Sequence, residues 1–90
     1  MTTQSKTNIA ILPLHECFEA IIANKDAPAL NYCVNYAQYG LLMLLGRMPL
    51  RDANVRTQIL YVLNNMTHWR GDTAKQVRAS LKHHEKELSK

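Results

Sequence analysis

Apolar residues recur at spacings of three and four in four segments of the chain, the pattern of helices that turn one face to a core. In the first, from about residue 13 to 24, Leu14, Phe18, Ile21 and Ile22 form a stripe with Cys17 beside them, and His15, Glu16 and Glu19 face water. Pro13 suits a first helical turn, where its missing N–H would be unpaired anyway. Residues 24–26 make the turn, with Asp26 placed to cap a second helix and Pro28 in the first turn of that helix.

The second segment, about 27–46, carries two apolar faces. Leu30, Cys33, Val34, Ala37, Leu41, Leu44 and Leu45 fall on one side, and Tyr32, Tyr36, Tyr39 and Met43 on the other. A surface helix of a small domain needs one such stripe, so the second requires a cover: a further helix, a second copy of the chain, or a ligand. Gly40 lets another backbone approach, such as that of a symmetry partner, and Gly46 with Pro49 marks the stop. Asp52 caps a third helix whose inward stripe is Val55, Ile59, Val62, Leu63 and Met66, with Leu60, Tyr61 and Trp69 off its centre. Gly71 ends or breaks this helix and Asp72 can cap a fourth. There Ala74, Val77, Leu81, His84 and Leu88 make a narrow seam. β-branched residues nowhere alternate. The expected fold is all-α, a small helical bundle of three to four helices with helical-hairpin character, spanning residues 9–90 as one domain behind a disordered polar tail at 1–8.

Charge changes this picture in one respect. The 90 residues carry a formal net charge of +4, but residues 1–45 hold two basic and three acidic side chains while the rest hold nine and four. A basic half suits an anionic partner or is simply a solvated face. The longest apolar run, Leu41–Leu45, is far too short for a bilayer, and the polar N-terminus does not read as a secretory signal, so the expected location is cytoplasmic. Cys17 and Cys33 read as two buried free thiols.

Three clusters could carry chemistry. Asn65, His68, Trp69 and Arg70 combine a base-edge hydrogen-bonding amide, a stacking face and a planar cationic fork, as an anionic ligand such as a nucleotide requires. Equally, Trp69 completes the core at the corner before the fourth helix and Arg70 pairs with Asp72. Tyr32, Tyr36 and Tyr39, with Met43, suit a homo-oligomer interface, packing within the chain, or a flat ligand. Lys75, Arg78, Lys82 and Lys86 form a basic stripe that could follow nucleic-acid phosphates, although Glu85 and Glu87 interrupt it. The histidines lack the spacing of a metal site, no catalytic or phosphate-loop motif stands out, and neither enzyme activity nor a cofactor is expected.

The run Ala29-Leu-Asn-Tyr-Cys-Val-Asn-Tyr-Ala-Gln-Tyr-Gly40, joined to Gln58-Ile-Leu-Tyr-Val-Leu-Asn-Asn-Met-Thr-His-Trp-Arg-Gly71, resembles a family of small uncharacterised proteins of phages and other mobile elements. The resemblance covers residues 29–71 and brings no established activity. It implies a context, in which compact proteins bind and block a host defence component, regulate transcription, or act as oligomeric helical sponges for cyclic nucleotide signals. The motifs of the best-known sponge family are not found in this chain. The expectation is a non-enzymatic, homo-oligomeric helical binding protein that sequesters an anionic small molecule, such as a nucleotide signal, and so interferes with host defence. The alternatives are a protein–protein inhibitor or adaptor acting on a host protein, and a DNA-binding regulator using the last helix.

Overall fold

Pro13 starts the first helix from just outside it: the ring holds φ near −55°, ψ is extended, and the carbonyl accepts from the amides of Glu16 and Cys17. A computed structural model describes residues 10–49 and 52–89. It contains α1 (Leu14–Ala23), a 3-10 turn (Pro28–Leu30), α2 (Cys33–Leu45), α3 (Ala53–Asn64) and α4 (Asp72–Leu88), with no strand among the described residues. The four helices make the expected all-α bundle. The expected tail at 1–8, together with Ile9, Leu50 and Arg51, lies outside the described residues. No helix among them is long and apolar enough to cross a membrane.

Each helix packs on its neighbours in sequence, and α1 also packs on α4, so the four close into a ring. The ring is filled by Leu14, Cys17, Phe18 and Ile21 of α1, Cys33 and Ala37 of α2, Val55, Ile59 and Val62 of α3, and Ala74, Val77 and Leu81 of α4. These are largely the stripes that the spacing predicts. Leu30, Met66 and Trp69 fill it from the connections. Burial pushes the thiols of Cys17 and Cys33 up to about 12, so both stay protonated and act as small apolar groups.

The second segment departs from one continuous helix. Ala27 is extended and its carbonyl accepts from the amide of Leu30, and that of Pro28 from the amide of Asn31, which makes a 3-10 turn. Asp26 makes no side-chain cap there, and the α-helix begins only at Cys33. The fully buried Leu30 anchors this turn to the core.

At the other end α2 stops at Gly46, as the sequence predicts, though not through a left-handed glycine. Gly46 has an ordinary φ of −77°, and it is Arg47 that takes the left-handed conformation at φ 64°. The amide of Arg47 donates to the Leu44 carbonyl and that of Met48 to the Met43 carbonyl, the paired bonds of a Schellman motif. A side chain at that φ costs roughly 1 kcal/mol that glycine avoids. Arg47→Gly is therefore expected to raise the melting temperature by roughly 5 °C, read by circular dichroism. An unchanged or lower value would contradict the motif.

Gly40 serves contact inside the chain and not a symmetry partner's backbone. A Cβ at this position would lie 2.7 Å from Cζ and 2.8 Å from Cε2 of Phe18, so α2 rests directly on that ring. At α3, Asp52 caps as expected, its Oδ1 accepting from the Asn54 amide at 2.7 Å. At α4 the cap is Gly71, with φ 112° and ψ 174°, and not Asp72, which occupies the first helical turn with its charge toward the positive end of the helix dipole.

Two sets of side-chain bonds complete the ring. On α4, Gln76, Ser80 and His84 stand four residues apart and hold the segment 10–12. Gln76 Nε2 donates to the Ala10 carbonyl (3.1 Å), Ser80 Oγ accepts from the Leu12 amide (2.9 Å), and His84 Nε2 lies 2.7 Å from the Leu12 carbonyl. A carbonyl only accepts, so this ring nitrogen carries its hydrogen. Across α3 and α4, the Arg56 guanidinium reaches Glu85 Oε2 at 2.8 and 2.9 Å.

Candidate functional site

The outer half of α2 has no cover. Tyr32 is 78% exposed, Tyr39 64%, Leu42 62% and Leu45 70%. No Asp, Glu, Lys, Arg or His occurs between Asp26 and Arg47, so the whole helix and the turn before it are uncharged. Surface helices of monomers place charged side chains on their outer faces, and the absence of charge with exposed Tyr and Leu is the composition of an interface core.

Of the expected interface residues, Tyr32 and Tyr39 stand open to solvent. Tyr36 is half covered by its own chain: its ring meets that of Tyr61 on α3 at 5.4 Å between centroids and 44° between planes. Below it, Gln58 of α3 is buried and donates through Nε2 to the Tyr36 carbonyl at 2.8 Å, pinning α2 to α3. Met43 is partly buried against the core. Sequence reading missed Leu42 and misplaced Leu45, which it assigned to the core stripe. The signal was present in Leu41–Leu45, because five consecutive apolar residues wrap more than one full turn and cannot share one face.

Beside this ridge run two apolar grooves. One, of about 490 Å³, lies between the start of α1 and the end of α2, with Leu14, Leu41, Leu44, Leu45 and Met48 in its walls and His15, Glu19 and His84 at its polar edge. The other, of about 300 Å³, is lined by Ile22, Gln38, Leu41, Leu42 and Leu45. They share Leu41 and Leu45, so one apolar surface continues from α1 across α2.

The Asn65–Arg70 cluster is arranged differently. Asn65 is the C-cap of α3 and its Nδ2 donates to the Tyr61 carbonyl at 2.8 Å. Trp69 is only 7% exposed and joins the core, which withdraws the stacking face an aromatic ligand would need. His68 and Arg70 remain at the surface, and among the described residues Arg70 makes no ion pair with Asp72. The structure therefore brings Trp69 to the core corner and leaves His68 and Arg70 outside it.

The basic stripe is divided in the same way. Lys75, Lys82 and Lys86 are exposed, but Arg78 turns back and donates from Nη2 to the carbonyls of Met66 (3.0 Å) and Trp69 (2.8 Å). Its fork clamps the α3–α4 connection and is committed there. Among the described residues no three His, Cys, Asp or Glu side chains converge as a metal site would require.

Comparison of the chain with protein-family models, with curated proteins and with solved structures finds no significant match. The functional reading therefore rests on the chain's own geometry.

Proposed function

We propose that the protein is a small non-catalytic helical binding module that works by holding a protein surface against the outer face of α2. Of the classes the sequence admits, this is the protein–protein inhibitor or adaptor. The observation that carries it is a helix without a charged side chain that leaves Tyr32, Tyr39, Leu42 and Leu45 open to solvent. Leaving such a patch bare is costly in water, and patches of this kind mark interaction sites.

The anionic-ligand reading draws less support. Of its four residues, Trp69 is packed inside and the side chain of Asn65 is spent on the α3 C-terminus. The DNA reading likewise loses Arg78 to two loop carbonyls.

Site-specific photocrosslinking tests the proposal. A photoreactive residue at Leu42, on the face, is expected to form protein adducts in the cells that express the chain, whereas one at Lys75, on the exposed side of α4, forms none. Absence of adducts from Leu42, or equal yields from both positions, would overturn it.

A further inference from the structure

The interaction face carries the marks of a surface made to meet itself. Leu42 and Leu45 form a ridge that is itself one wall of a groove of about 300 Å³, whose other walls are Ile22, Gln38 and Leu41. A two-fold axis passing between ridge and groove would seat the ridge of each copy in the groove of the other. This is the isologous arrangement of most homodimers, in which one patch suffices for both partners.

The available area fits. A fully exposed tyrosine presents about 200 Å² and a leucine somewhat less, so Tyr32, Tyr36, Tyr39, Leu42, Leu45 and Tyr61 at their observed exposures offer roughly 600–700 Å². That area is spread over α2 and the edge of α3 with the exposed Asn35 and Gln38 among the apolar side chains, and is of the size of the large apolar patches, roughly 300–600 Å², that are often functional. With the groove walls added it approaches the roughly 800 Å² per partner of a standard stable interface. The uncharged stretch matters here for a second reason. In a two-fold dimer each residue near the axis meets its own kind, so any charge there would face a like charge; α2 has none to repel.

We infer that the surface covering the outer face of α2 is a second copy of this chain, joined by a two-fold contact in which Leu42 and Leu45 fill the Ile22–Gln38–Leu41 groove. This rests on the proposed role of α2 as a protein-docking face and names the occupant. The dimer would be uncharged at its centre and would carry the basic α4 surface away from the contact.

Sedimentation of the purified full-length chain between about 1 and 200 μM, with the double variant Leu42→Lys/Leu45→Lys alongside, is the test. The expected result is a species of twice the 10.3 kDa chain mass that falls to monomer in the variant. Both side chains are exposed in the single chain, so the variant should keep its circular dichroism spectrum, and Lys75→Glu should leave the dimer intact. A wild-type monomer at 200 μM overturns the inference, as does a dimer insensitive to the two lysines. If that monomer still forms adducts with another protein from Leu42, the docking reading stands and only the second copy is lost. If it forms none, both fall. Sedimentation of the monomer with phospholipid vesicles, abolished by the two lysines, would assign the face to a lipid surface and overturn both as well.

Discussion

Arg78→Ala should lower the melting temperature by roughly 10 °C or more, a large loss for one half-buried surface arginine. Its Nη2 donates to the carbonyls of Met66 and Trp69, whose side chains are both packed into the core. Hydrogen bonds from a charged donor contribute about 1.5–3 kcal/mol, and removing this donor takes its bond from the Trp69 carbonyl and one of two from that of Met66, which still accepts from the Trp69 amide. The loss should therefore amount to about 2–3 kcal/mol. Arg78→Lys should recover part of it: both bonds come from the one Nη2, whose donors an ammonium can replace, but the lysine side chain is shorter and lacks the fixed planar geometry. Lys82→Ala, one turn further along α4 and exposed, should change the midpoint by no more than a degree or two. Thermal unfolding followed at 222 nm separates these cases. If Arg78→Ala and Lys82→Ala melt alike, the guanidinium does not hold the connection in solution.

Gly40→Ala should also destabilise, against the usual direction of that change in a helix. Helix propensity alone favours alanine by roughly 1 kcal/mol. Opposing it, the new Cβ would sit 2.7 Å from Cζ of the fully buried Phe18, closer than packed carbons come, so the ring or the helix must shift. Forcing α1 and α2 apart costs about 1–3 kcal/mol in overpacking, so a net loss of up to roughly 2 kcal/mol is expected. The partner variant decides the cause. In a Phe18→Leu background the ring is gone, and Gly40→Ala should become neutral or stabilising, giving a clear coupling term in the double-mutant cycle. A stabilising Gly40→Ala in the native background would contradict the close approach.

The helices were legible in the sequence because each one's core stripe is periodic and is punctuated by a physically motivated residue. Pro13 and Asp52 stand within a residue of the boundaries they predict, whereas Gly71, read as the end of the third helix, caps the fourth, the third having already ended at Asn64. What periodicity could not show was where two neighbouring roles compete. Asp26 and Asp72 look like caps, but the chain passes them with Ala27 and Gly71 in the capping positions. Leu45 has the right spacing for the core, yet the turn that ends at Arg47 leaves it on the rim. Trp69 and Arg78 carry little signal of their own, since a tryptophan can stack on a ligand or fill a corner and an arginine can meet a phosphate or a carbonyl. Only the fold of the α3–α4 connection, which places Trp69 inside and two carbonyls before Arg78, distinguishes these uses. The tyrosine face was visible as a pattern, while the leucine ridge beside it was hidden within the apolar run.

The segment 10–12 is held by Gln76, Ser80 and His84, partners that lie 66 to 72 positions later in the chain. During synthesis none of these partners exists until more than sixty further residues have been made. α1 to α3 can pair as they emerge, but the ring remains open, with Cys17 and Leu14 facing a gap that α4 alone can fill. The final helix is thus the keystone of a vectorially assembled molecule. A ribosome that stops before His84 releases a chain with a raw apolar seam, the state that quality control recognises and removes.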